Sequence, residues 1–541
     1  MHAITDLHRE TYVSQSAVAK ILKRVREHGL PPACSATTQR RARQTLCGDR
    51  TPFGKVVREF HDPSWGVDQS MAVQHPCAIM WLAAKECHRF RNLLKNCVAR
   101  EPPTPQSPWG LIIYIDEVSP TNPLRKCKDL REVQCIYWTF TQFREMMWAE
   151  EVWFVLTTAR SEIVNDMNGG MSNFLRTLLK AMFFDNGGYD LSTSGVALDL
   201  AENDTAPDLV HVFAVHAVTI GDAKALVQIL GSIGYNGLVP CPCCRNIVSI
   251  TSGLAEYDET LQPLSSLHPD SWKLHCDLSV RRLLLRLGAR ADDLGSTAFR
   301  KLETRCGWHY HPLNIALDEE LGYKAISTLY YDWMHVFMVD GTYGREVNAL
   351  LEAFREKRNA QTMVSFNDLD EYLRMWTWPL QLPGAKNACG TGTWAATASE
   401  SLSAAPVLAR FFRDVVPAEG FETEIASFLK LSEVVDILQN ASKGIVTPID
   451  LFVATVSWLE AHLAAYGTQY FVFKHHQAMH LPGMWARSGI LLNCFALERH
   501  HKLAKRFMKD HTHTRSYEKS VLEEITLEKY INGHNFAPRV C

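Results

Sequence analysis

The sequence predicts an α/β protein in which a mixed β-sheet lies between a helical N-terminal region and a long, mainly helical stretch. Three observations carry that prediction. Apolar runs rich in β-branched and aromatic residues follow a Pro-rich linker; further strand-like and helix-like runs alternate after them; and helical spacing dominates beyond about Gly253. At 541 residues the chain is too long for one ordinary core, so two to four domains, or one core with a large insertion, are expected.

The elements follow in order. In "SQSAVAKILKRVREHGLP", Ser16 is a candidate N-cap, Val18, Ile21, Leu22 and Val25 have helical spacing, and Gly29 and Pro31 are stop signals. Lys20, Lys23, Arg24 and Arg26 make the segment basic, and "RRAR" follows at Arg40 to Arg43. It reads either as a DNA-contacting helix or as an amphipathic helix with a solvated basic face. "AREPPTPQSPWG" then closes a helical, locally basic region over residues 1–100. Within 101–250, "GLIIYIDEVSP", "VQCIYWTF" and "VWFVLTTA" read as strands, "MSNFLRTLLKAMFF" as a helix, "DLVHVFAVHAVTIGD" as one long strand and "DAKALVQILGSIG" as a helix. Residues 251–470 read as mainly helical, and 471–541 carry a basic helix with an acid at its head.

Composition excludes several classes. Hydrophobic residues make up 46% and charged residues 21%, which argues for a folded globular chain. A net charge of -3 rules out a generally basic nucleic-acid coat but leaves local basic surfaces open. No apolar run approaches the roughly 18 residues of a membrane helix, so no membrane partner is expected. Fifteen cysteines, an odd and scattered count, point to a reducing compartment in which special cysteines bind metal.

Asp116 and Asp222 each end an apolar strand, and Glu498 opens a later helix. Strand ends hold carboxylates rigidly, and hard oxygen ligands favour Mg²⁺ or Mn²⁺. Two such ions serve phosphodiester displacement. Strand-end aspartates are also common turn residues, and Glu498 has a plainer role as the i,i+4 partner of Lys502. Arg499, Lys502, Lys505 and Arg506 surround that acid and are candidates for contact with DNA phosphates.

Cys241 and Cys244 have the C-x-x-C spacing of a tetrahedral zinc grip, with Cys243 as a register alternative. His476 and His480, four apart, project from one helix face and form a chelating pair, with His475 as a shifted rival. Cys306 with His309 or His311 is a weaker pair. The competing reading makes these cysteines small core residues and the histidines hydrogen-bonded ones. Asp332 and His335 are spaced for a hydrogen bond that fixes an imidazole tautomer.

Four stretches carry a resemblance: "YIDEVSPTNPL", "GDAKALVQILGSIGYNGLVPCPCC", "YYDWMHVFMVDG" and "FKHHQAMHLPG" followed by "CFALERHHKLAKRF". In this order they resemble the motifs of DDE transposases of the CACTA (En/Spm) and Kyakuja-Dileera-Zisupton or Plavaka-like type, over about Leu111 to Lys505. The resemblance implies a ribonuclease-H-like mixed-sheet core interrupted by a large, mainly helical insertion. It also implies a triad of Asp116, Asp222 and Glu498 on two Mg²⁺ or Mn²⁺ ions, and a structural Zn²⁺ on Cys241, Cys244, His476 and His480. Asp332 and His335 take a supporting role. Glu117 departs from the pattern by placing a second acid beside Asp116, where it is expected to crowd the site. The implied activity is cleavage and strand transfer of DNA, with transposon ends and target as partners, a homo-oligomer as the acting form and the nucleus as its location. The alternative is a catalytically inactive, zinc-stabilised DNA-binding descendant.

Overall fold

The computed structural model describes residues 51–120, 132–185, 189–201, 206–356, 366–379, 393–416, 419–510 and 516–534, together with residues 23, 25–27, 382 and 388. The strands are β1 (Val57–Phe60), β2 (Met71–Gln74), β3 (Trp109–Val118), β4 (Val133–Phe140), β5 (Phe154–Arg160), β6 (Val196–Asp199), β7 (Leu209–Val212), β8 (Ala214–Gly221), β9 (Ile247–Val248), β10 (Gln262–Pro263) and β11 (Leu329–Tyr331). Seven of them form one mixed sheet in the order β1-β2-β5-β4-β3-β8-β11. Neighbours from β1 to β3 pair antiparallel, whereas β8 runs parallel to β3 and β11 parallel to β8. β6 with β7 and β9 with β10 make two small separate pairs.

The central strands explain themselves. All eight residues of β4 are buried, as are nine of the ten in β3, the pattern of strands covered on both faces. On one face, Trp138 stacks on Phe154 and meets Phe183 of the helix at Gly170–Phe183. On the other, Tyr114 and Tyr137 pack against His501 on the helix at Phe495–Asp510. The last helix, Tyr517–His534, lies on β2 and β5, where Gln74 Nε2 donates to Thr526 Oγ1 at 2.9 Å and Arg160 pairs with Glu518 at 2.6 Å.

Helices in chain order are α1 (Pro76–Glu86), α2 (His88–Arg100), α3 (Ser161–Asp166), α4 (Gly170–Phe183), α5 (Ala223–Leu230), α6 (Asp277–Ala291), α7 (Ser296–Cys306), α8 (Trp333–Phe337), α9 (Thr342–Glu356), α10 (Phe366–Met375), α11 (Ala398–Arg410), α12 (Glu422–Asn440), α13 (Pro448–Tyr466), α14 (Phe473–Ser488), α15 (Phe495–Asp510) and α16 (Tyr517–His534). The stretch from α9 to α13 is helical throughout its described elements, with α12 and α13 packed along each other. No helix among the described residues is long and apolar enough to cross a membrane.

Two expectations are corrected. The first hundred residues are not wholly helical, because β2 pairs antiparallel with β5 and β1 with β2, extending the sheet. Four-residue strands carry too short a pattern to be read locally and form only because a partner edge is present. Most of the basic helix lies outside the described residues; the described part, Lys23 and residues 25–27, is helical and holds an exposed Lys23–Glu27 pair at 3.8 Å. The long strand ending at Asp222 divides at Phe213, whose carbonyl accepts from Trp109 N at 2.8 Å, so that β7 pairs with β6 while β8 enters the main sheet. The segment read as mainly helical is so in its described elements, and it also supplies one strand of the main sheet, β11, whose three residues are stabilised by parallel pairing with β8.

Candidate metal centre

Register places the acids. Ile115 pairs with Gly221, and Gly221 pairs with Tyr331, across three neighbouring parallel strands. The next residues are Asp116, Asp222 and Asp332, so three carboxylates emerge at the same end of adjacent strands, which lie about 4.8 Å apart. Local chemistry then separates their roles.

Asp222 is the N-cap of α5, where its Oδ1 accepts from Ala225 N at 2.7 Å and leaves the second oxygen available. Asp332 caps α8 and is more heavily engaged. Its carboxylate accepts from Met334 N, His335 N and Cys494 N at 3.0, 3.3 and 3.1 Å, and from His335 Nδ1 at 2.5 Å. Fully buried and saturated in this way, it orients His335 and ties β11 to the start of α15.

Asp116 accepts from Tyr114 Oη at 2.8 Å and Glu117 N at 2.7 Å, which leaves lone pairs on both oxygens. Glu498 reaches the same place from α15. One carboxylate oxygen of each, together with a ring nitrogen of His501, lie within 4.8 Å of one another. His501 Nδ1 is 3.5 Å from Asp116 Oδ2 and 3.8 Å from Glu498 Oε2, and His335 Nε2 is 3.9 Å from Glu498 Oε1.

These groups perturb one another. Burial raises the Asp116 pKa, the charges of Asp222 and Glu498 add to the rise, and His501 and His335 oppose it. Burial would also raise Glu498, but His501, His335 and Lys505 hold it below the ordinary carboxylate range. His335 is pushed up to about 9: burial acts against the charged imidazolium, and the hydrogen bond and charge of Asp332 outweigh it. A concentration of negative charge held rigidly at a sheet edge, with unused lone pairs, is a donor set for a hard cation.

Glu117 does not crowd this cluster. Alternation along β3 turns it to the opposite face, where it pairs with Lys224 and accepts from Ser161 Oγ and Gln134 Nε2. On α15, Lys505 lies close enough to act on Glu498, while Lys502 and Arg506 are exposed. Arg499 is bound to Glu150 Oε1 at 3.0 Å and the Trp148 carbonyl at 2.5 Å, fastening the helix to the turn before β5. His501 is the residue that sequence reading missed, although its i,i+3 spacing from Glu498 already placed both on one helix face.

The sulfur and nitrogen set converges too. Cys241 Sγ is 3.4 Å from His480 Nε2, Cys244 Sγ is 3.6 Å from His476 Nε2 and 3.4 Å from His480 Nε2, and the two histidine nitrogens are 3.1 Å apart. A regular tetrahedron with about 2.1 Å from centre to vertex has edges of about 3.4 Å, so these four atoms surround a space of zinc dimensions. The rival ligands go elsewhere. Cys243 faces the Tyr331 hydroxyl, His475 Nδ1 accepts from Val472 N beneath His462, His309 faces Glu303, and His311 Nδ1 accepts from Leu313 N. Burial pushes His476 well down, whereas the neighbouring Cys241 and Cys243 outweigh burial at His480 and bring it up to about 9.

No family model matches the chain, and no curated protein matches it.

Proposed function

We propose that the protein is a DDE-type DNA transposase of the CACTA/Kyakuja-Dileera-Zisupton kind, which cleaves and joins DNA phosphodiesters with Asp116, Asp222 and Glu498 as its metal-binding acids. The observation that carries the reading is the register row that sets Asp116 beside Asp222, with Glu498 arriving from α15 against Asp116. Support also comes from the sheet. Its five strands β5-β4-β3-β8-β11, in which β5, β4 and β3 pair antiparallel and β8 and β11 continue parallel to β3, follow the order 3-2-1-4-5 expected of a ribonuclease-H-like core, and the helical stretch α9 to α13 falls between β11 and the last acid.

The three carboxylates would hold Mg²⁺ or Mn²⁺, and Cys241, Cys244, His476 and His480 would hold Zn²⁺. The bound divalent ions would polarise the scissile phosphate and lower the proton affinity of the attacking oxygen. The chain's own residues set the geometry. Asp332 fixes His335, His335 and His501 flank Glu498, and the cysteine-histidine cluster anchors α14, from which the chain passes to α15. In the first reaction a water oxygen bonds to phosphorus as the P–O3′ bond breaks and frees a 3′-hydroxyl. In the second, that hydroxyl bonds to a target phosphorus as its P–O3′ bond breaks. The acting form would be a nuclear homo-oligomer on transposon ends and target DNA, with exposed Lys502 and Arg506 and nearby Lys505 available to phosphates.

One observation favours the inactive, zinc-stabilised descendant as a second reading: the His501 imidazole stands between Asp116 and Glu498, its Nδ1 3.5 Å from one carboxylate and 3.8 Å from the other, in the space their shared ion would need. Incubating the intact chain with Mg²⁺ and duplexes bearing the inverted repeats that flank its gene separates the two. The enzyme reading expects 3′-hydroxyl ends and joined products that vanish in Asp222→Ala. Bound duplex that is never cut supports the descendant.

A further inference from the structure

A second charged feature lies away from the carboxylates. The N-terminal half of α6, the end of α7 and the cysteine loop enclose a cavity of ≈ 370 Å³ lined by Arg245, Arg282, Arg286 and Arg305, with Ser279 and His275. Among the described residues, the lining contains no acid. Nearby acids are committed elsewhere. Asp277 accepts from Ile326 N, Ser327 N and Ser327 Oγ, Glu303 accepts from Tyr310 N, and Glu319 pairs with Arg281. All four arginines are exposed, and none has an ion-pair partner among the described residues. In a chain of net charge -3, four guanidinium groups around one cavity repel one another unless an anion enters.

We infer that this cleft binds the phosphodiester backbone of duplex DNA. The inference rests on the DNA-processing reading and supplies it with a contact surface that the acidic strand ends cannot provide. Arg282 and Arg286 stand one helical turn apart, about 5–6 Å between Cβ atoms, a separation from which planar guanidinium forks reach successive phosphates of one strand. Arg245 and Arg305 close the cleft from two other elements. Such contacts fix register without reading bases. Arg245 directly follows Cys244, and its N–H donates to the Lys273 carbonyl at 2.8 Å, while His275 N donates to the Cys243 carbonyl at 2.8 Å. The loop that carries the cysteine pair is therefore one wall of the cleft, so ordering of that loop also places Arg245.

The test is binding of a fluorescent duplex of arbitrary sequence to the full chain, with Ca²⁺ in place of Mg²⁺, over a range of salt. Counterion release contributes roughly 0.9 to the salt slope per phosphate, so R282A/R286A should lower the slope by about 1.8 and weaken binding roughly sixty-fold near 0.1 M salt. R282K/R286K should keep most of the slope, and unchanged circular dichroism shows that the variants fold. Wild-type binding with the same slope in R282A/R286A overturns the cleft and leaves the transposase reading standing. The predicted slope change in a chain that never cuts DNA with Mg²⁺ supports the cleft and counts against the enzyme. Polyglutamate that binds as tightly as duplex of equal charge would make this an acidic-peptide site and overturn the assignment.

Discussion

Removing one ligand of the cysteine-histidine cluster, by His480→Ala, tests the tetrahedral site most directly. Along four of the six edges the ligand atoms lie 3.1–3.6 Å apart, as a zinc of about 2.1 Å mean bond length requires. They come from the loop after α5 and from α14, so the ion would clamp segments more than 230 positions apart in sequence. α14 is in turn bound to β11, through Arg487 to the Leu329 carbonyl at 3.0 Å, and Tyr330 Oη donates to the Ile490 carbonyl at 2.9 Å on the approach to α15. Loss of the ion should therefore loosen the placement of Glu498 as well as lower stability. A ligand present at a thousand times its dissociation constant stabilises the folded state by about 4 kcal/mol, and each tenfold change in free zinc moves that by about 1.4 kcal/mol. Elemental analysis should find one zinc per wild-type chain and none in H480A. Melting of wild type in buffered zinc should rise with zinc activity, and that of the variant should not. A wild-type chain without zinc, whose melting ignores both zinc and chelator, would refute the reasoning.

Three further outcomes follow from the carboxylate site. Asp116→Asn should raise the metal-free melting temperature while removing the Mg²⁺-dependent shift. A raised folded pKa means that stability is present below the ordinary value of 3.8 and is lost as pH rises and Asp116 ionises beside Asp222 and Glu498; calorimetry with and without Mg²⁺ checks it. His335, pushed up to about 9 from 6.5, should contribute stability that is complete below pH 6.5 and fades as pH climbs through 9, so the gap between wild type and H335Q in chelator should close across that window. Glu117→Ala should leave Mg²⁺ binding by titration calorimetry unchanged and lower stability by about 1 kcal/mol, since its carboxylate serves Lys224, Ser161 and Gln134 on the opposite face; weakened Mg²⁺ binding would place it back among the metal acids.

Much of the core was legible locally. β3, β4 and β5 are long enough to show their β-branched and aromatic bias, and α4 and α5 show helical period, because these segments bury the faces their patterns define. The spacing of Cys241 with Cys244 and of His476 with His480 was legible for a similar reason: chelation by neighbours on one turn or one helix face is a short-range property.

What the chain alone could not reveal is which distant residues share a place. β1, β2 and β11 are three or four residues long; β2 and β11 exist through pairing with strands far away in sequence, and β1 through pairing with β2. Register, not composition, aligned Asp332 with Asp116 and Asp222, and hydrogen bonding then made it a saturated anchor for His335. Likewise only the docking of α15 put His501 between two acids. Periodicity within a segment is dictated by the segment's own backbone geometry; side-chain convergence between segments depends on long-range packing, which no local pattern encodes.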